Sequence, residues 1–81
     1  MLEDWILKKK EIEASKGKLT GIDLSNAKLM GAKLDGADLT QADLTSAYLI
    51  KADLRKASLI GADLTQAVLS EANLADADLK D

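Results

Sequence analysis

The sequence predicts an all-β solenoid, in which a coiled backbone stacks short repeats around an apolar interior, with a short α-helix at its N-terminus. Three observations predict this fold: a five-residue period, the failure of that period to match a helix or a strand, and glycine or asparagine at the ends of several repeats. The length of 81 residues suits one small domain.

Thirteen five-residue repeats follow one another without insertion over residues 17–81, beginning with GKLTG and ending with ADLKD. Leucine occupies the third position of all thirteen, and alanine occupies the first position of eleven. A fixed period of this kind is typical of stacked repeats. The predicted core is the full set of third-position leucines: Leu19, Leu24, Leu29, Leu34, Leu39, Leu44, Leu49, Leu54, Leu59, Leu64, Leu69, Leu74 and Leu79.

Neither regular element repeats every five residues. Five residues of α-helix turn by about 500°, so the leucines would wind around the helix. In a continuous strand they would alternate between the two faces. Within one repeat, however, a short extended piece such as Ala62-Asp63-Leu64 points alanine and leucine to one side. The last two residues must then turn the chain, which produces a coil around leucine and alanine.

The fifth position of the repeat is the predicted corner. Four of the five glycines lie there, at Gly21, Gly31, Gly36 and Gly61, and so does Asn26. These residue types tolerate the positive φ that tight corners require. The absence of proline also favours stacking, because each layer must offer its N–H groups to the next.

Residues 1–16 are predicted to form a helix that covers the first open end of the coil, which occupies residues 17–81. The apolar residues Leu2, Trp5, Ile6 and Ile12 fall near one side of such a helix, and Gly17 is a plausible stop. The alternative is an amphipathic helix that binds a membrane or a partner. The zero net charge of residues 1–16 disfavours the membrane version.

The run A(D/N)LXX resembles the pentapeptide repeat family over residues 17–81. The resemblance implies a right-handed quadrilateral β-helix with four repeats in each coil, hence about three coils with residues 20 apart in register. It also implies a structural role. Some members of that family imitate DNA and regulate a type II topoisomerase such as gyrase. That role is the alternative function, and a supercoiling assay would test it.

The composition argues against an enzyme. The chain has no histidine and no cysteine, which removes the commonest general base and the thiolate nucleophile. We therefore expect no catalytic residues, no cofactor and no metal site. Stacking would align Asp23, Asp43 and Asp63 in one column, but a straight column lacks the dense oxygen cluster that calcium requires.

One side of the coil carries apolar residues where the repeat normally has polar ones. Met30, Tyr48, Ile50 and Val68 would lie together, whereas ordinary surface scatter is the alternative explanation. We therefore expect a scaffold for protein–protein interaction with an unknown protein partner.

The remaining partner predictions rest on charge and edges. The net charge is −3, and the acidic excess lies in residues 53–81, which argues against direct nucleic-acid binding.

No stretch suggests a membrane span or a targeting signal, so we expect a cytoplasmic location, with a plastid or lumenal origin left open. The last coil would expose a self-complementary edge, which favours a two-fold homodimer through the C-terminal coil. The alternatives are a monomer and a piece of a longer repeat, and light scattering would distinguish the dimer from the monomer.

Overall fold

The computed structural model of the chain describes residues 2–79. Helix α1 spans Leu2–Ala14, and a single 3₁₀ turn follows at Lys16–Lys18. From residue 19 onward the described chain has no strand longer than one residue, because every paired residue lies between two corners. No helix within the described range is long and apolar enough to cross a membrane.

Residues 20 positions apart in the sequence pair with each other in successive turns of the coil. Asp23 pairs with Asp43 in a parallel bridge, Asp43 pairs with Asp63, and the other bridges have the same spacing. Four five-residue repeats therefore separate stacked positions. We call residues 17–36 the first layer, residues 37–56 the second layer and residues 57–76 the third layer.

Backbone hydrogen bonds hold each layer to its neighbours. The second residue of a repeat donates its N–H to the layer before, as Tyr48 does to the Ala27 carbonyl at 2.8 Å. The third and fifth residues donate to the layer after, as Leu49 and Lys51 do to the carbonyls of Val68 and Ser70, both at 2.8 Å. The short extended pieces therefore satisfy the backbone groups that stacking would otherwise bury unpaired.

Each repeat ends in a turn that directs the next alanine inward. The Ala52 N–H donates to the Leu49 carbonyl at 3.0 Å and closes the turn between them. The fifth residue of every repeat from Gly21 to Asp76 has a positive φ, for example 59° at Ser46. Type II turns have a positive φ at the same position. Non-glycine residues therefore occupy the left-handed region at most of the corners.

The interior consists of leucine and alanine. Nine of the thirteen third-position leucines are buried, from Leu19 to Leu59, and the first-position alanines from Ala27 to Ala57 are buried beside them. Leu64, Leu69 and Leu74 are half-buried, and Leu79 is 54% exposed. This differs from a core of thirteen equally buried leucines, because Leu64, Leu69 and Leu74 have a neighbouring layer on only one side and Leu79 lies beyond the third layer. The homodimer expected at that end stays a prediction.

Helix α1 lies against the first layer and supplies hydrogen-bond partners to its edge. The Lys33 N–H donates to the Glu13 carboxylate at 2.7 Å. This carboxylate takes the place of the backbone carbonyl that a preceding layer would offer to the Lys33 N–H. The Lys9 ammonium donates to the Met30 carbonyl at 3.1 Å. Just after the helix, the Lys16 carbonyl accepts the N–H of Asp38 at 2.8 Å.

The apolar residues of α1 are buried to different degrees. Ile12 is buried in the core cluster, and Trp5 packs against that cluster while partly exposed. Ile6 is 54% exposed, which differs from the expectation that it faces the coil. Trp5 and Ile12 are two helical turns apart and lie on the same side of the helix, whereas Ile6 is rotated by about 100° from Trp5 around the helix axis. Leu2 begins the helix, and its side chain lies outside the described part.

Candidate interaction surface

One side of the coil, which we call the Tyr48 face, is formed by residues 27–31, 47–51 and 67–71. Lys28, Tyr48 and Val68 are joined by consecutive bridges, so their side chains form one column. The two apolar residues at the fourth position, Met30 and Ile50, belong to the same face. The structure therefore brings together the four residues that the sequence suggested as a partner surface.

The apolar side chains of the Tyr48 face are accessible to solvent. Tyr48 is 42% exposed and Met30 is 37% exposed, whereas Ile50 and Val68 are half-buried. The Lys28 ammonium lies 5.1 Å from the centroid of the Tyr48 ring, within the range of a cation–π interaction. Tyrosine and methionine are both enriched at protein interfaces.

Helix α1 extends this surface beyond the coil. A shallow depression of about 70 Å³ is lined by residues of α1 and of the first layer: Trp5, Ile6, Lys9, Lys28 and Met30. The sequence pattern predicted Trp5 and Ile6 as part of a cap over the coil, with a membrane-binding or partner-binding helix as the alternative. Nothing in the repeat spacing fixes how a preceding helix lies on the coil, so their place beside Met30 was not predictable from the pattern.

A larger open depression of about 440 Å³ lies on the other side of α1. Its apolar lining includes Trp5, Ile12 and Ile22, where isoleucine replaces the usual first-position alanine. Its charged lining is balanced, with two lysines and two acidic residues: Lys8, Lys18, Glu11 and Asp23. This balance gives the depression no preference for an acidic or a basic ligand.

The column of Asp23, Asp43 and Asp63 points its carboxylates at nearby backbone. Each carboxylate accepts the N–H of the residue two positions later, at 3.0 Å for all three. Such local bonds are typical of Asx-turns. Among residues 4–79, whose side chains the structure describes, no group of three acidic side chains is arranged to hold a metal ion.

Hydrogen bonds of this kind lower several aspartate pKa values. Arg55 binds the Asp53 carboxylate with its guanidinium, at 2.7 Å from Nη2, and with its backbone N–H, and together these lower the pKa of Asp53 to about 2. The pKa values of Asp23, Asp38 and Asp63 are also lowered, chiefly by the hydroxyls of Ser25, Thr40 and Thr65.

These shifts predict that acid weakens the fold. A carboxyl whose pKa is lower in the folded state than its unfolded value of about 3.9 stabilises the fold above that value. The contribution is lost as the pH falls from about 4 towards the folded pKa, which is about 2 for Asp53. We expect the urea midpoint to fall between pH 7 and pH 3.

The matched variant replaces Asp23, Asp38, Asp53 and Asp63 by asparagine. Asn73 shows that asparagine can serve at this position, because its Oδ1 accepts the Ala75 N–H at 3.1 Å. The variant should keep the turns and lose less stability between pH 7 and pH 3 than the wild type. Parallel losses in the two proteins would contradict a role for the four carboxylates.

A chain whose paired residues recur every 20 positions around a leucine interior is a β-solenoid. The family model described as Pentapeptide repeats (8 copies) matches residues 14–45 and 47–81, and the chain belongs to the pentapeptide repeat family. The family resemblance predicted from the sequence is therefore confirmed, and the fold is a right-handed β-helix.

The solved structures that are similar to this chain include two pentapeptide repeat proteins. Rfr23, a pentapeptide repeat protein from the cyanobacterium Cyanothece, matches with a TM-score of 0.73 and 39% identity over 75% of this chain and 42% of that chain. This chain therefore spans less than half the length of Rfr23. A pentapeptide repeat protein from the Arabidopsis thaliana thylakoid lumen matches with a TM-score of 0.35 and 26% identity, over 83% of this chain and 55% of that one. A comparison with curated protein sequences finds no match.

Proposed function

We propose that this chain is a non-catalytic scaffold that binds another protein through the Tyr48 face. The observation that carries the proposal is the exposure of Tyr48, at 42%, beside Met30, Ile50 and Val68 on one side of the coil. Other sides of the second layer carry polar residues at the equivalent second positions, for example Asp43 and Asp53. A clustered apolar exception on a repetitive polar surface is typical of a partner site.

The chemistry of the described side chains supports a role without catalysis. The chain has no histidine or cysteine. The carboxylates with lowered pKa values hydrogen-bond to hydroxyls, to backbone N–H groups or to Arg55, and a lowered pKa makes a carboxylate a weaker base. A stacked backbone instead provides a stiff frame that holds side chains on one face at fixed spacings.

We further propose that α1 acts as a cap for the first layer. Its Glu13 and Lys9 occupy hydrogen-bonding positions that another layer would fill, and Ile12 covers the interior. Such a cap would prevent the open edge from pairing with other chains. It would also keep the first-layer part of the Tyr48 face ordered for binding.

The test of the binding face is the double substitution Tyr48→Ser and Ile50→Ser. We expect it to weaken binding of the natural partner at least about 30-fold, because exposed aromatic anchors commonly contribute about 2 kcal/mol or more. The fold should persist, since the backbone bonds of residue 48 do not depend on its side chain and Ser58 already occupies an equivalent position. The partner is first captured from the native host, purified, and then titrated by calorimetry.

The matched control is Ile60→Ser. Ile60 is a half-buried fourth-position residue like Ile50, but it lies two repeats further on, on the opposite side of the coil. This variant should bind as the wild type does. Unchanged affinity of the double variant, with normal melting, would refute the Tyr48 face as the binding site.

A further inference from the structure

The apolar surface around Tyr48 is continuous with α1. The depression between Ile6, Trp5 and Met30 adjoins Lys28, and Lys28 in turn lies over the Tyr48 ring. Ile6 is 54% exposed and contributes an aliphatic side chain to the lining of this depression. A ligand on the Tyr48 face would therefore also contact the helix.

The size of the depression indicates the kind of ligand. Its volume is about 70 Å³, whereas pockets for small molecules are typically about 300–1,000 Å³. It can seat the tip of one side chain and is too small to enclose a cofactor. The rest of the Tyr48 face presents the bridged column of Lys28, Tyr48 and Val68, which suits a peptide or protein surface with an apolar side chain aimed at this depression.

Charge is distributed unequally around the coil. The side with Asp23, Asp43 and Asp63 carries no base. The Tyr48 face carries Lys28 and Lys51, with Glu71 only in the third layer.

Lysine also borders the depression on the helix side. Lys9 lines the depression together with Lys28. The side of the coil that follows the Tyr48 face consists of residues 32–36, 52–56 and 72–76. Its acidic residues are partly neutralised, because Asp35 pairs with Lys16 at 3.1 Å and Asp53 pairs with Arg55 at 2.7 Å. Among the described side chains, those of residues 4–79, neither Lys28 nor Lys51 has a carboxylate within ion-pair distance.

We infer that the partner segment bound by the Tyr48 face is acidic and amphipathic, and that α1 forms part of the surface that binds it. This inference rests on the proposed function. Aliphatic side chains of the segment would pack on Met30, Tyr48 and Ile50, and its carboxylates would face Lys9, Lys28 and Lys51. The acidic column lies on another side of the coil and would repel the segment if it bound there.

The probe is a synthetic amphipathic peptide built from leucine, alanine and glutamate, and its matched control has lysine in place of every glutamate. Each is titrated into the full ¹⁵N-labelled chain and followed by NMR. The acidic peptide should give saturable shifts of the Trp5 indole and of the Lys28, Met30 and Tyr48 amides. The lysine peptide should give none. High salt should weaken binding of the acidic peptide at least about tenfold, because exposed charges are screened.

Charge reversal tests the lysines directly. Lys28→Glu with Lys51→Glu should weaken binding of the acidic peptide at least about tenfold, by exchanging attraction for repulsion. The matched control, Lys18→Glu with Lys56→Glu, makes the same change in net charge away from the Tyr48 face and should retain most of the binding.

Several results would overturn the inference. The inference fails if both peptides shift the NMR signals equally, if the shifted signals belong only to another side of the coil, or if the acidic peptide gives no saturable shift. In each case the protein-binding proposal stands as long as Tyr48→Ser with Ile50→Ser still weakens binding of the natural partner. If that double variant binds the natural partner normally, the proposed function fails as well.

Discussion

The substitution Leu49→Asp is expected to unfold the domain at neutral pH. Leu49 is fully buried in the second layer, between Leu29 of the first layer and Leu69 of the third layer. The substitution removes the transfer free energy of a leucine, with a typical cost of about 2–5 kcal/mol for loss of such a side chain. It also places an unpaired carboxyl in an interior of leucine and alanine, which costs several kcal/mol more. These costs together are comparable with a typical total stability of about 5–15 kcal/mol.

The matched control is Leu79→Asp, which changes the same repeat position at a site that is 54% exposed. This variant should still fold, with a cooperative transition, because water solvates its carboxylate. Circular dichroism and the dispersion of NMR amide signals measure both variants. A cooperative melt of Leu49→Asp at the wild-type temperature would contradict the leucine interior.

The period of the sequence was sufficient to predict the interior. Alanine and leucine two apart, repeated every five residues, can share a side only if the chain turns after each leucine. The buried series from Leu19 to Leu59 agrees with that reasoning. The family resemblance, rather than the period, supplied the 20-residue spacing that appears in the bridge between Tyr48 and Val68.

The corners were only partly predictable from residue type. Glycine and asparagine indicated a positive φ at some fifth positions, but Gln41, Ser46 and Lys51 adopt the same conformation at φ of 58–61°. A non-glycine residue in this region costs about 1–2 kcal/mol. The interlayer hydrogen bonds offset that cost, as when the Lys51 N–H donates to the Ser70 carbonyl. Strict register, more than residue identity, is therefore the signal for a corner.

The position of α1 could not be derived from the sequence. The pattern indicated an apolar side that included Ile6, but the contacts depend on which open backbone groups the helix side chains reach. Glu13 reaches the Lys33 N–H, and this contact fixes the helix over one part of the first layer. Ile6 therefore lies beside the Tyr48 face instead of over the interior.

The substitution Ile12→Asp is expected to detach α1 from the coil while the second layer remains folded. Ile12 is buried and joins the helix to the core cluster. Detachment leaves the new carboxylate in water and loses the burial of the isoleucine, so the free energy of unfolding should fall by about 1.5–3 kcal/mol. The matched control is Ile6→Asp in the same helix, where 54% exposure predicts a change below about 1 kcal/mol.

Hydrogen exchange distinguishes detachment of the helix from general unfolding. The Lys33 and Asp38 amides donate to Glu13 and to the Lys16 carbonyl, so their protection should fall in Ile12→Asp. The Leu49 amide bonds to the third layer and should keep its protection, because stacked repeats interact mainly with their neighbours. Ile6→Asp should leave all three amides as in the wild type. Equal protection of Lys33 in the two variants would show that α1 does not depend on Ile12, and loss of protection at Leu49 would show that the layers unfold as one unit.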